Sequence, residues 1–197
     1  QNRLPSTGDA RMTKTVSGFT LIELMIVVAV IAILALLAAP NLLAARVGAN
    51  ETSAIASLRN LATSQHQFQT STSVDNDTDG NGEYGSLGEL AGVVPLNTRG
   101  VGLPQTLDPP ILAATFQQIN AAGEIARSGY YFTIFLPDAG YAFVQEAAGG
   151  GPGAAIDDDS CEAAWCAYAW PVDASGTGNR AFFVNQRGEL LQTRMDA

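Results

Sequence analysis

The run Asp75-Asn76-Asp77-Thr78-Asp79-Gly80-Asn81-Gly82-Glu83 places three carboxylates at alternate positions ahead of a glycine. A calcium loop needs that pattern, because it supplies hard oxygen ligands and then a sharp turn that glycine takes easily. Asp75, Asp77 and Asp79 match the first three ligand positions, Gly80 the turn, and Asn81 the position that offers a carbonyl. Where an EF-hand places its bidentate Glu, this chain has Ser86. Glu83, Glu89 or an acid from another loop would have to take that place. A solvated Asp/Asn/Gly turn has the same composition, so both readings stand at this level. Asp157-Asp158-Asp159 reads as a solvated charge run that could add ligands to a cation site.

Other chemistry is sparse. His66 is the single histidine and reads as a polar surface residue. The chain has no G-x-S-x-G, no cluster of histidine ligands and no phosphate-binding glycine loop. Gly149-Gly150-Gly151-Pro152-Gly153 opens no evident helix and has no lysine beside it. An enzyme is not expected. No cofactor is required, and Ca2+ is the one candidate. Beyond residue 18 the chain holds seven Arg, no Lys and eighteen acids, a formal −11. That charge repels phosphates and argues against nucleic acid as a partner.

One further carboxylate stands in unusual company. From Leu24 to Ala39 every residue is Leu, Met, Ile, Val or Ala, and Glu23 sits at the head of that run, with Arg11 and Lys14 before it. Such a run is about as long as a membrane crossing, which takes ~20 residues at 1.5 Å each. An acid there costs ~2.5–3.5 kcal/mol on insertion scales, which makes Glu23 a functional candidate. An ordinary secretory signal has a shorter apolar region and a small-residue cleavage site after it, whereas this run ends at Pro40. The better cut lies before the run, at Gly18–Phe19, and would leave the helix on the mature chain. Cys161 and Cys166, both after the export signal, then read as a disulfide, with two separate buried thiols as the alternative.

Lys14-Thr-Val-Ser-Gly18 followed by Phe19-Thr-Leu-Ile-Glu23-Leu-Met-Ile-Val-Val28 resembles the class III signal of type IV prepilins and of type II secretion pseudopilins. The resemblance is close over residues 12–45. It implies cleavage after Gly18 by a prepilin peptidase and N-methylation of Phe19. Residues 1–18 would be the leader, with Met12 as a candidate start and residues 1–11 upstream of it. It also implies that Glu23 pairs with the N-terminal amine of a neighbouring subunit during assembly. Charge complementarity agrees, since a methylated Phe19 keeps its ammonium in the same apolar layer. The helix dipole also suits an acid near the N-terminus.

These residues require a long helix. Pro40 should kink or locally unwind it. After it, Ile55, Leu58, Leu61 or Ala62, Gln65 and Phe68 recur at steps of three and four, one stripe of an amphipathic segment. We expect one helix over 19–70, a transmembrane or filament-core first half and a second half that packs on a sheet. Residues 71–197 form the head. Gly85–Pro110 reads as irregular and Ile111–Ala122 as a short helix after Pro109-Pro110. Residues 129–136, 141–145, 165–172, 180–185 and 189–193 read as strands of an antiparallel sheet of four or five strands. The fold class is α+β, and the order of elements resembles a pilin.

The expected function is that of a structural subunit of a type IV pilus or pilus-like filament, held in the bacterial inner membrane and then polymerised at the cell surface or in the periplasm. Its implied partners are identical subunits, the prepilin peptidase, and an inner-membrane assembly platform with its ATPase. A major pseudopilin and a minor or tip pilin with a binding role are the alternatives.

Overall fold

A computed structural model describes residues 18–96, 105–153 and 155–195. Met12, Lys14 and the rest of the expected leader up to residue 17 lie outside the described residues. Contacts divide the chain into two compact units, Gln1–Asn41 and Leu42–Ala197.

Helix α1 runs from Leu21 to Thr70. It stays helical across Pro40, so the local unwinding expected there does not occur. Proline lacks the N–H of its turn. The Asn41 side-chain amide adds a donor in that turn, reaching the Leu37 carbonyl at 3.3 Å. Within the first unit the large side chains of α1 are exposed on every side, Leu36 most of all at 77%. A helix apolar all round has no inward face. This one is long and apolar enough to cross a membrane.

Within the second unit α1 has a single buried stripe. Val47, Glu51, Ala54, Leu58, Leu61, Gln65 and Phe68 recur at alternating steps of four and three, the spacing that keeps one side of a helix against a partner. Ile55 and Ala62 flank the stripe, partly buried against the core.

The partner is a six-stranded antiparallel sheet. Its strands are β1 (Ile125–Arg127), β2 (Tyr130–Pro137), β3 (Phe143–Gln145), β4 (Cys166–Pro171), β5 (Arg180–Asn185) and β6 (Leu190–Arg194). The order is β1-β2-β4-β5-β6, with β3 sharing the outer edge of β2. Alternation decides the faces. Tyr130, Phe132, Ile134 and Leu136 point inward with Ala167, Ala169, Phe182 and Val184, and they join Ala54, Leu58, Leu61 and Phe68 in one core. On the other face Phe135, Tyr168 and Phe183 stack edgewise across three strands, with centroids 5.5 and 5.0 Å apart. Cross-strand aromatic pairs of this kind pin register.

Four expectations need correction. The sheet gains a strand, β1, because Arg127 pairs with Tyr130 across Ser128-Gly129, both at positive φ (49° and 74°). That is a two-residue hairpin turn. Gly129 therefore belongs to the turn, where a side chain would also strike Asn50 and Thr177. Residues 111–122 form only a short 3-10 turn at Ala114–Phe116. The Ile111 and Leu112 N–H groups both donate to the Leu90 carbonyl, which ties this backbone to helix α2 (Leu87–Leu90) instead of to a helix of its own. The acidic run is the start of a helix, α3 (Asp158–Ala163), with Asp157 as N-cap accepting from the Ser160 N–H. Finally, Cys161 and Cys166 are free thiols, both buried. Cys161 lies on α3 with its sulfur 3.7 Å from the Pro137 carbonyl. Cys166 opens β4, between Phe135 and Asn185.

Candidate functional site

Thr20, Glu23 and the first turn of α1 form a reciprocal cap. The Thr20 backbone N–H and hydroxyl donate to one Glu23 carboxylate oxygen at 2.9 and 2.7 Å, and the Glu23 N–H donates back to the Thr20 hydroxyl at 3.3 Å. This is the T-x-x-E capping box, which satisfies otherwise unpaired N–H groups of a helix start. That spacing is legible in the sequence, where the charge of Glu23 is the more conspicuous feature. Gly18 and Phe19 lie just outside the cap, and the Phe19 ring is 83% exposed. Among the described residues no basic side chain pairs with Glu23.

The acidic loop folds back on itself between α1 and α2. The Glu83 N–H donates to the Val74 carbonyl at 3.1 Å and closes the loop. Asp75, Asp77 and Asp79 each offer a carboxylate oxygen within 4.8 Å of the others. Asn81 behaves differently: its backbone N–H and side-chain amide both donate to Asp79, at 2.7 and 2.8 Å. Glu83 turns inward and is 3% exposed, with one oxygen accepting the Asn76 N–H at 2.9 Å. Burial and the nearby charges of Asp158, Glu162 and Asp75 push its carboxyl up to about 7, against the Asn76 bond. Glu89 is engaged elsewhere, accepting from the Ser86 N–H and hydroxyl at 2.8 Å in the capping box of α2.

Two glutamines on α1 hold this region together. Gln65 grips the Gly85 backbone from both sides, donating to its carbonyl at 2.6 Å and accepting its N–H at 3.0 Å. A side chain at position 85 would collide with the Phe68 ring, which is why glycine sits there. One turn on, Gln69 donates to the Glu162 carbonyl at 2.8 Å, and Tyr84 N–H donates to the Cys161 carbonyl at 2.9 Å. Helix α3 is thereby docked against the acidic loop. Glu162, half-buried, feels first burial and then the charges of Asp79, Asp77, Asp159 and Asp75, and its carboxyl is raised. Sequence spacing could not find Glu162, because it lies far along the chain from Asp75.

Farther down α1, the buried Glu51 accepts from Arg180 Nε at 2.9 Å and from the Asn179 N–H at 3.0 Å. Burial opposes its charge, but the Arg180 and Asn179 bonds outweigh it and hold the carboxyl below its ordinary value. The two thiols show no sign of reactivity: burial and nearby acids push Cys161 up to about 12, and burial pushes Cys166 up to about 11. His66 is exposed, as expected.

Comparison with known proteins follows this division. Residues 13–39 match the prokaryotic N-terminal methylation motif. Residues 36–196 match the family described as protein of unknown function (DUF2950). Over 65 residues the chain is 48% identical to the type IV wide pilus major component PilA4 of Thermus thermophilus, an alignment that takes in 33% of this chain and 47% of that protein. The chain thus spans about half the length of this relative. No solved structure matches it. By residues 36–196 the chain belongs to the DUF2950 family, and its N-terminal motif and helix are similar to those of a type IV pilin.

Proposed function

We propose that the chain is the structural subunit of a type IV pilus or pilus-like filament. The observation that carries this reading is the first half of α1, an apolar helix without a covered face among the described residues, entered through Gly18, Phe19 and Glu23. Such a helix must be covered by lipid or by other helices, and both would accept the same surface. A prepilin peptidase would cut after Gly18 and methylate Phe19. The mature helix would anchor the chain in the inner membrane until a platform and its ATPase extract it into a helical polymer of identical subunits. Contacts there would be head-to-tail and non-closing, the arrangement that yields fibres.

Glu23 would then meet the Phe19 ammonium of a neighbour. Thr20 satisfies the Glu23 carboxylate by hydrogen bonds but supplies no positive charge. In an apolar layer an amine brings what a hydroxyl cannot. The test is Glu23→Ala: processing at Gly18 continues and incorporation into filaments is lost. Normal filaments from this variant would overturn the pairing.

A periplasmic pseudopilus is the second reading, and one observation favours it. A C-terminal disulfide would have pointed to a surface pilin, and the thiols are free. Against it stands the likeness to a wide-pilus major component. Immunogold labelling separates the two: long surface fibres for a pilus, short periplasmic ones for a pseudopilus.

A further inference from the structure

We propose that the loop 75–83 and helix α3 together form a calcium site, in which Asp75, Asp77 and Asp79 supply loop carboxylates and Glu162 supplies the acid that the loop lacks at its twelfth position. This goes beyond the filament reading and does not depend on it.

Three observations converge. The first is placement. Tyr84 N–H to Cys161 carbonyl and Gln69 amide to Glu162 carbonyl fix α3 beside the loop at 2.9 and 2.8 Å, which brings Glu162 near enough for the charges of Asp75, Asp77 and Asp79 to act on it. The second is a set of orphaned oxygens. Asp75 Oδ1, Glu83 Oε2 and Glu162 Oε1 are each buried without a hydrogen-bond donor among the described residues. Glu83 is the most telling, because it is only 3% exposed and still leaves one oxygen unmet beside Asp75 and Glu162. Buried acceptors are nearly always satisfied, and a cluster of exceptions in one place points to a missing partner. The third is the sign of the surroundings. The charges acting on Glu83 and on Glu162 are those of other acids, Asp75 common to both. Glu83 is buried, with Asp75 and Glu162 half-buried beside it, and acids gathered in this way repel one another unless a cation joins them.

The donor set selects the cation. Four carboxylates from two separate segments, with loop carbonyls at hand, suit the six to eight oxygens and the loose geometry of calcium. Magnesium demands a near-ideal octahedron and keeps several waters. Glu83 stands at loop position nine, where such loops often ligate through a water, and it closes the inner side of the site. Glu89 is excluded by its engagement with Ser86. The ion would cross-link the loop to α3, and through Gln69 to the end of α1.

The experiment uses the full processed chain in detergent micelles, stripped of metal with a chelator, with Ca2+ titrated calorimetrically in millimolar Mg2+. We expect one Ca2+ per chain, and an affinity about tenfold or more weaker in Glu162→Gln, since ligand charge sets calcium affinity. No calcium heat up to millimolar concentration, or unchanged affinity in Glu162→Gln, would overturn the site. Terbium provides a second measurement that needs no variant. The Trp165 ring lies 6.1 Å from that of Tyr84, the residue following Glu83, and should sensitise bound Tb3+. Emission displaced by Ca2+ but not by Mg2+ supports the site, and absence of sensitised emission counts against it.

Discussion

Helix α1 carries two glutamates that meet opposite fates. Glu51, in the second unit, is buried and has its cation within the same chain, Arg180 on β5. Glu23, in the first unit, is exposed on an apolar helix, and among the described residues Thr20 alone attends to it. The contrast extends to their neighbours. Around Glu51 the apolar residues keep to one stripe that the sheet covers, whereas around Glu23 they occupy every side. One half of the helix is completed by its own fold. The other half has no such covered stripe among the described residues.

The sharpest way to break this comparison is to remove each acid's support and read both assembly and stability. Glu23→Ala should abolish filaments while the melting temperature of the second unit stays unchanged. Arg180→Ala should do the reverse. It strands Glu51 without its cation, at a cost of about 2–3 kcal/mol by chemical denaturation, moderated because Arg180 is 42% exposed. A Glu23 variant that melts early, or an Arg180 variant as stable as wild type, would show that the two halves are not divided in this way.

The apolar residues allow the same test. Phe68, 1% exposed over Gly85, should lose about 3–5 kcal/mol on replacement by alanine. Leu34, 60% exposed in the first unit, should change that stability by less than about 0.5 kcal/mol. Equal effects from the two would contradict the division.

The last test concerns pH. Glu146, 6% exposed, accepts the Leu87 N–H at 2.6 Å, and burial followed by the charge of Glu89 raises its carboxyl well above 4.5. The folded state therefore holds a proton that the unfolded state releases. Stability from this group is present below about pH 4.5 and declines as pH rises toward the folded value, by at most about 1.4 kcal/mol per unit. Glu146→Gln keeps the acceptor for Leu87 and should flatten that decline in denaturation curves taken from pH 4.5 to 7. An undiminished slope would place the proton elsewhere.

Most of the architecture is readable because it rests on periodicity. The helix stripe follows from steps of three and four, and β2, β4, β5 and β6 follow from runs of aromatic and branched residues that the sheet then alternates. What cannot be read depends on pairing across distance. Residues 111–122 have a helical pattern, but the Ile111 and Leu112 N–H groups go to Leu90. β1 is only three residues long and is defined by its turn. The acidic run 157–159 has the composition of solvated surface, yet Asp157 caps a helix. For the acidic loop, Asp75, Asp77 and Asp79 are legible from spacing. Glu162, 79 positions beyond Glu83, comes into view only once α3 is placed.

The account rests on the claim that the first half of α1 is built to be covered by copies of itself. Mass spectrometry of purified filaments tests that most directly. We predict that their bulk subunit is this chain, beginning at N-methylated Phe19. Filaments lacking it, or a chain recovered only in the membrane with its Gly18–Phe19 bond intact, would contradict the account.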